Sequence, residues 1–342
     1  MYDDLCQSLG ITRIANITGL DHLGIPVANA IRPNAKHLSV SQGKGLTWEE
    51  AKTSAIMEAC ETFHVENPKP AVLFGSYHDL HQMHPVVHPK FFQQANFDND
   101  LSLTPLSWIN AIHFRENQSY LIPHDLINFD STIALHTRKY FQMDSTGLAA
   151  HVDRDAAILH ALYEVVERHS LSLSQAALID GESLHDHDVC ELLRKLTRAN
   201  MNTQLFSLSN PFDIPTIYVQ ITERQSNRTL GTFHGSASHH SMTVAITKAI
   251  LEAAQSRLTF IAGTRDEILP FFYRHHHQSS IASSHAVSFA LPSSVVYQQD
   301  QHAIDDVLSK IERYFPSILL VDHTKEDINI PVVQVFVPGM VK

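Results

Sequence analysis

Pairs of glutamates three residues apart recur along the chain and carry its clearest chemical signal. The pattern Ala-x3-Ala-x2-Glu-x2-Glu begins at Ala51 and again at Ala157, and a third copy from Ala245 ends in Gln255 instead of glutamate. Residues three apart share one face of a helix, so each pair would present two carboxylates side by side. Two such helices facing each other would bring four carboxylates together, and a divalent cation would relieve their repulsion. The pattern therefore predicts a magnesium site that also takes nucleotide phosphates.

The two complete pairs identify the candidate metal ligands as Glu58 with Glu61 and Glu164 with Glu167. A single pair of this kind is usually a solvated helix face, but three copies in one frame favour a shared site. In the second copy, apolar residues cover most of the helix circumference, so we expect that helix to be largely buried. Its narrow polar stripe consists of His160, Glu164, Glu167 and Arg168.

A phosphate-binding site also needs backbone donors and positive charge. The chain contains no Gly-x4-Gly-Lys-Ser/Thr loop, so an ATP site here would not be of the P-loop type. The candidates are the predicted turn Gly43-Lys44-Gly45 before the first helix, Arg168 beside Glu167, and Arg257 after Gln255. Two simpler interpretations stay open: Lys44 could be an exposed turn residue, and Arg257 could be an ordinary cation at a helix C-terminus.

Each copy of the helical pattern follows a glycine-containing segment that is predicted to form a strand and a turn. These segments contain Gly43, Gly147 and Gly235, so the unit strand, glycine turn and helix occurs three times. Across the chain, short β-rich runs alternate with helical periodicity, which predicts an α/β or α+β fold. The expected strands are Ala71–Phe74, Ser107–Phe114, Gln204–Leu208, Thr216–Ile221 and Ser317–Val321, and the expected helices are at 49–63, 153–172, 186–199, 242–260 and 302–314.

Composition and charge restrict the function classes. The 342 residues include 25 Lys and Arg against 36 Asp and Glu, and the formal charge of −11 excludes a nucleic-acid binder working by bulk basic charge. With 44% hydrophobic and 18% charged residues, the chain is expected to be globular. We predict one domain over residues 1–342, within which residues 264–300, rich in serine, histidine and glutamine, form a long loop or insertion.

Cysteine and histidine usage argues against two other kinds of site. Cys6, Cys60 and Cys190 are far apart and form no Cys-x-x-Cys pair, which indicates reduced thiols instead of disulfides or a cysteine zinc site. The 24 histidines are scattered apart from the run His275–His277, and solvated polar residues are a simpler interpretation than a metal site. The acidic N-terminus and the lack of an apolar run of about 20 residues predict a cytoplasmic protein without a membrane segment.

In their order and spacing, three separated motifs resemble those of the YcaO family. The resemblance extends from about Arg13 to the C-terminus, and the stretches Ile11–Asn34 and Gln255–Asp266 most resemble the branch encoded beside TfuA partners. The motifs are Ser41-x-Gly-Lys-Gly45 with Ala51-x2-Ser54-Ala55-x2-Glu58-x2-Glu61, then Ser145-Thr-Gly-Leu-Ala-Ala150 with Ala161-x2-Glu164-x2-Glu167-Arg168, and last Glu252-Ala-Ala-Gln-Ser-Arg257 with Gly263-Thr-Arg265-Asp266.

The resemblance implies a fold with the three repeats around a central nucleotide crevice, a non-P-loop ATP site and several Mg²⁺ ions. It also implies ATP-dependent phosphorylation of the backbone amide of a peptide substrate. In the branch that this chain most resembles, external sulfide is the nucleophile, a TfuA-type protein is the partner and a thioamide is the product. Carried over by position, the catalytic residues are Glu164, Glu167 and Arg257, and the Mg²⁺ ligands are Glu58, Glu61, Glu164 and Glu167. The implied nucleotide contacts are Lys44, Ser54, Glu58, His160, Arg168, Gln255 and Arg257.

Three features depart from the common pattern of the family. His160 stands where many members carry glutamine, Thr62 replaces a Lys or Arg, and the terminal segment Pro338–Lys342 lacks the alternating prolines of azoline-forming members. The missing prolines favour thioamide formation over an azoline-forming cyclodehydratase, in which a Cys, Ser or Thr side chain is the nucleophile. A non-catalytic nucleotide-binding scaffold is the third hypothesis, and the intact glutamate pairs favour an enzyme over it. The sequence leaves a homodimer open.

Overall fold

The computed structural model describes residues 2–93, 99–133, 140–181, 184–224, 230–264 and 294–340. Most of the predicted loop at 264–300 lies outside the described residues, as do the run His275–His277 and the motif residues Arg265 and Asp266. Across the described ranges, no helix combines the length and the apolar character needed to cross a membrane. Cys6, Cys60 and Cys190 are free thiols in this structure.

The described strands form three sheets in which neighbouring strands run antiparallel. The strands are β1 (Arg13–Asn16), β2 (Val27–Ile31), β3 (Val40–Lys44), β4 (Leu73–Gly75), β5 (Leu106–His113), β6 (Ser119–Pro123), β7 (Leu148–Ala150), β8 (Ala176–Ile179), β9 (Met201–Leu208), β10 (Thr216–Glu223), β11 (Thr232–Ser238), β12 (Leu319–Asp322) and β13 (Val332–Phe336). Their orders are β1-β2-β3, β11-β10-β9-β8, and β4-β5-β12-β13-β7 with β6 also paired to β5. Helices packed on such sheets confirm the predicted mixed fold class.

The three repeat helices each begin at a side chain that caps the first turn. The α-helices are α1 (Tyr2–Leu9), α2 (Trp48–Glu66), α3 (Tyr77–Leu80), α4 (Arg154–Leu173), α5 (His187–Arg198), α6 (Met242–Ala262) and α7 (Asp300–Glu312). Thr47, Asp153 and Ser241 precede α2, α4 and α6, and each accepts a hydrogen bond from the backbone N–H three residues later. These caps satisfy donors that a helix leaves unpaired at its start. All five predicted helices are confirmed, with ends displaced by three residues at most.

Glycines set the distance between strand and helix in the first and third repeats. Gly43 lies within β3 and Gly235 within β11, so the Gly43-Lys44 segment is part of a strand and the prediction of a turn there is wrong. A Cβ at Gly43 would meet the carbonyl oxygen of Ala51 at 2.1 Å, and one at Gly235 would meet that of Ala249 at 2.4 Å. Only glycine permits this approach, which explains why each strand pairs with an Ala-x3-Ala helix face.

The second repeat helix, α4, is the most deeply packed element near the candidate site. Its apolar residues form a core with α7 and β13, in which Leu162, Val166, Val307 and Val335 are fully buried. The expected burial of this helix is therefore confirmed. The helix also contacts β7 and β11, so its polar stripe lies between the sheets of the second and third repeats.

Candidate functional site

The first glutamate of each complete pair is bound to the backbone of its own repeat. In the first repeat, Glu58 accepts a hydrogen bond from the N–H of Gln42 at 3.2 Å. In the second repeat, Glu164 accepts one from the N–H of Gly147 at 3.1 Å. Each bond ties the helix to the segment immediately before it.

The second residue of each pair reaches instead to the following repeat. Glu61 Oε1 accepts from the N–H of Ala150 at 2.8 Å, which joins the first repeat to the second. Glu167 Oε1 accepts from the hydroxyl of Ser236 at 2.6 Å, which joins the second repeat to the third. Gln255 Nε2 then donates to the carbonyl oxygen of Gln42 at 3.0 Å and returns the sequence of contacts to the first repeat. These three contacts form a closed interlocking ring, a relationship that the local sequence pattern does not reveal.

The ring gives a physical reason for the glutamine in the third repeat. Glu61 and Glu167 face an N–H and an O–H, which are donors, so a carboxylate suits both positions. Gln255 faces a carbonyl oxygen, which only accepts, so an amide donor is required. Gln42 is itself held by its side-chain amide, which donates to Asn29 at 3.0 Å and Thr264 at 3.1 Å.

The glutamates lie near enough to one another for the charge of each to affect the pKa of its neighbours. Burial raises the pKa of Glu61 well above its usual range, and the charges of Glu58 and Glu164 add to the shift. Burial raises the pKa of Glu164 to about 7, with the charge of Glu167 also contributing against the opposing charge of Arg168. The pKa of Glu167 is also raised, first by burial and then by the charge of Glu252. The structure thus brings both predicted pairs together and adds Glu252; these five glutamates are called the glutamate site below.

The glutamate site has the chemistry that Mg²⁺ prefers. Its donors are carboxylate oxygens. Burial raises the pKa values of Glu61, Glu164 and Glu167, and repulsion between neighbouring carboxylates, which a divalent cation would relieve, adds to each shift. Within the described ranges, no three His, Cys, Asp or Glu side chains lie close enough to hold a single metal ion. One or two carboxylates per ion, completed by water and substrate phosphates, are the usual arrangement for Mg²⁺.

Positive charges border the glutamate site. Lys44 Nζ lies 3.5 Å from Glu252 Oε2, and Arg168 Nη2 lies 3.4 Å from Glu164 Oε1. Lys248 was not identified from the sequence; burial and the charge of Lys44 lower its pKa, while Glu167 opposes the shift. The signal that could have found Lys248 is its position four residues before Glu252, on the same face of α6.

Ser54 and His160 lie one helical turn before the first glutamate of their pairs. Ser54 is half-buried on α2, and His160 is exposed on α4. Although His160 is accessible, the surrounding protein lowers its pKa, first by desolvation and then through the charges of Lys248 and Lys44. Both residues therefore occupy positions from which a nucleotide bound beside the glutamates could be contacted.

Arg257 is engaged in a buried ion-pair network in this structure. Its Nε lies 2.8 Å from Asp21 Oδ2 and its Nη2 lies 2.7 Å from Glu223 Oε1, and the side chain is only 2% exposed. The guanidinium also lies over the ring of Phe233. The phosphate contact expected of Arg257 stays a prediction, whereas the observed contacts tie the end of α6 to the 3₁₀-helical segment before β2 and to β10.

One open pocket lies away from the glutamate site. It has a volume of about 310 Å³ and is formed by α1, β1 and the start of α2. Arg13, Trp48 and Lys52 are among its lining residues, and none of the predicted site residues lines it.

Comparisons with known proteins give a family match over most of the chain. The sequence profile of a family described as YcaO cyclodehydratase, ATP- and Mg²⁺-binding, matches residues 42–341. An uncharacterised protein of Mycobacterium tuberculosis is 34% identical over 275 residues, which are 77% of this chain and 60% of that protein. An uncharacterised protein in the tfuA 3′ region of Rhizobium leguminosarum bv. trifolii is 32% identical over 284 residues, covering 78% of this chain and 66% of the relative. The chain thus spans about 60% of the length of the mycobacterial relative.

Solved structures share the fold. A heterocyclase in complex with substrate and cofactor superposes with a TM-score of 0.80 at 20% identity, covering 99% of this chain and 52% of the other. The YcaO protein from Methanopyrus kandleri bound with AMPPCP and Mg²⁺ superposes with a TM-score of 0.72 at 20% identity, covering 99% of this chain and 88% of the other.

Proposed function

Because the chain belongs to the YcaO family, whose members bind ATP and Mg²⁺, we propose that it uses ATP to activate a peptide backbone amide so that sulfide replaces the amide oxygen. The family match confirms the predicted cofactors, ATP and Mg²⁺. The observation that carries the proposal is the convergence of Glu58, Glu61, Glu164 and Glu167 from two repeats at one site. Such a site can neutralise and orient a transferring phosphoryl group.

The proposed reaction balances without an oxidant or reductant. Hydrosulfide attacks the amide carbon, and the amide oxygen, now carrying negative charge, bonds to the γ-phosphorus of ATP as the bond to ADP breaks. The phosphorylated oxygen then leaves as inorganic phosphate with the electrons of its bond to carbon. The carbon–sulfur double bond forms, and the proton from hydrosulfide ends on phosphate. The products are a thioamide, ADP and phosphate.

We assign the side chains as follows. Mg²⁺, held by Glu58, Glu61, Glu164 and Glu167, supplies positive charge to the phosphates when bound. Glu252 lies beside Glu167 and extends this ligand set. The cations that border the glutamate site also neutralise the charge of the phosphates, and further residues contact the nucleotide. We assign Lys44 and Arg168, together with Lys248, which was not predicted, to the phosphates, and Ser54, His160 and Gln255 to the rest of the nucleotide.

One observation favours thioamide formation within this family. A relative that is 32% identical lies in a tfuA 3′ region, which supports a TfuA-type protein as the partner that delivers sulfide. Azoline formation is the second candidate, because a heterocyclase shares the fold. The single-domain organisation, the cytoplasmic location and the homodimer stay untested predictions.

Comparing proteomes tests the proposal even while the peptide substrate is unidentified. A strain lacking this gene is complemented with the wild-type protein or with Glu164→Gln, and peptides from both strains are analysed by mass spectrometry. Replacement of oxygen by sulfur adds about 16 Da, whereas azoline closure removes about 18 Da, and both follow the same activation step. We expect a gain in peptide mass that only the wild-type protein restores and that depends on the tfuA-type gene. A loss of peptide mass in place of the gain would identify the azoline reaction. No change in mass would identify a non-catalytic scaffold.

A further inference from the structure

A hydrogen-bonded chain of side chains lies beside the polar stripe of α4. The hydroxyl of Tyr163 lies 2.5 Å from His240 Nδ1, and His240 Nε2 lies 2.9 Å from Asp306 Oδ2. A carboxylate only accepts, so His240 carries its proton on Nε2 and Tyr163 donates to Nδ1. Lys310 Nζ lies 2.8 Å from the same Asp306 oxygen. These hydrogen bonds therefore all point from Tyr163 toward Asp306, and they hold the Tyr163 ring in place.

The neighbouring His239 is fixed in one tautomer by its own backbone contact. Its Nδ1 accepts a hydrogen bond from the N–H of Ser241 at 2.9 Å, so the proton of the neutral ring is on Nε2. Its ring packs on that of Tyr163 with centroids 4.8 Å apart. Burial and the charge of Lys248 lower its pKa to about 4. His239 also precedes the N-terminus of α6, whose positive end disfavours a second proton.

His239 lies close to the glutamate site, where we propose that the phosphates of ATP bind. The hydroxyl of Ser236, three residues before His239, donates to Glu167 at 2.6 Å. The ring of His239 packs on Tyr163, which directly precedes Glu164 on α4, so His239 lies beside the part of α4 that carries both glutamates. The His239 side chain is half-buried. Nε2 has no hydrogen-bond acceptor among the parts of the chain that the structure describes. A neutral imidazole is thus held at the edge of the glutamate site with an N–H donor that no described residue accepts from.

We propose that the Nε2–H of His239 donates a hydrogen bond to the amide oxygen of the substrate as that oxygen gains negative charge and bonds to phosphorus. The role depends on the proposed function, since it requires an oxygen that becomes an anion at this site. A neutral donor suits the role because it stabilises the developing charge without giving up its proton. It also leaves the oxygen free to attack, whereas proton transfer to that oxygen would make it a poorer nucleophile.

Binding of a phosphoryl-transfer mimic tests this role without turnover or an identified peptide. The probe is Mg²⁺·ADP with aluminium fluoride, in which the water opposite ADP stands where the amide oxygen would enter. His239→Leu should weaken this complex by about 100-fold, because it removes one fixed donor to the entering oxygen. Its affinity for Mg²⁺·ATP should stay within about twofold of the wild type, since the ground state does not use the donor. His239→Gln, which keeps a side-chain N–H, should recover part of the loss.

Two further measurements make the result decisive. Nitrogen-15 NMR of the wild type should show His239 protonated on Nε2 alone, which tests the tautomer on which the role depends. His187→Leu is the matched control, because His187 is 86% exposed on α5 and lies outside the proposed machinery. Equal affinity of His239→Leu and wild type for the mimic, a parallel loss of Mg²⁺·ATP affinity, or an Nδ1–H tautomer would each overturn the proposal. A wild type that binds the mimic but leaves no mass change in the proteome would refute the proposed function alone.

Discussion

The side-chain amide of Gln255 donates to the backbone carbonyl oxygen of Gln42 at 3.0 Å, and this contact joins the helix of the third repeat to the strand of the first. Glu61 and Glu167 make the equivalent contacts between the other repeats. Since Lys44 follows Gln42 within the same strand, the ring also positions a cation expected to bind phosphate. The candidate site and the assembly of the repeats therefore depend on the same side chains.

Gln255→Glu should destabilise the protein by about 1 to 3 kcal/mol, because it removes the donor and places a carboxylate against a carbonyl oxygen. Urea unfolding at neutral pH measures the effect. Gln7→Glu makes the same chemical change at an exposed position on α1 and should leave the free energy of unfolding within about 0.5 kcal/mol. Equal stability of the two variants would show that the contact contributes nothing to closing the ring.

ATP should bind only together with Mg²⁺, because the carboxylates of the glutamate site repel the phosphates unless a cation intervenes. Calorimetry with and without a chelator measures the difference. Glu164→Gln should keep the fold and lose substrate-dependent ATP hydrolysis, whereas Glu191→Gln on α5 should behave as the wild type. Unchanged ATP affinity after chelation, or full hydrolysis by Glu164→Gln, would exclude the metal-bridged site.

The stability difference between the wild type and Glu164→Gln should fall as the pH rises from about 4.5 toward 7 when Mg²⁺ is absent. The folded state raises the pKa of Glu164 from 4.5 to about 7, so it holds a proton that the unfolded chain has already released. The unfolded state therefore gains stability relative to the folded state across this interval. Urea unfolding over a pH series gives the difference, and added Mg²⁺ should reduce the fall. A difference that is constant with pH would contradict the raised pKa.

Lys248→Met should weaken Mg²⁺·ATP binding by about 10- to 100-fold, the usual effect of losing a charged contact to phosphate. The variant keeps the aliphatic length of the lysine, so the fold should be retained. Lys90→Met, at an exposed site distant in the sequence, is the control for charge removal. If both variants bind Mg²⁺·ATP equally well, Lys248 does not contact the phosphates.

Arg257→Gln should lower the free energy of unfolding by about 3 to 5 kcal/mol, because the buried carboxylate of Asp21 and the half-buried carboxylate of Glu223 would lose the arginine that pairs with both. A phosphate-binding role predicts a different result, in which stability is kept and Mg²⁺·ATP affinity is lost. Thermal unfolding and calorimetry on the same preparation separate the two. Retained stability with weakened ATP binding would support the sequence-based assignment of Arg257 to phosphate.

The sequence by itself determined the elements and the chemical residues that they carry. Helical periodicity, the repeated Ala-x3-Ala frame and the glutamates three apart are local properties, since the geometry of a single helix fixes which residues share a face. The five predicted helices, the burial of α4 and the placing of each glutamate pair on one helix face follow from them. The family and its cofactors could be identified from the sequence because the motifs are short and contiguous.

Only the tertiary structure decided which distant groups meet. Gln255 contacts Gln42 across 213 residues and Arg257 contacts Asp21 across 236, and no periodicity encodes either encounter. Whether an arginine binds phosphate or a buried carboxylate depends on which groups folding brings within about 3 Å of its guanidinium. The proton position on His239 likewise depends on the N–H of Ser241, whose direction is set by the start of α6. Hydrogen bonds act over one interatomic distance, so their partners are chosen by the packing of whole elements.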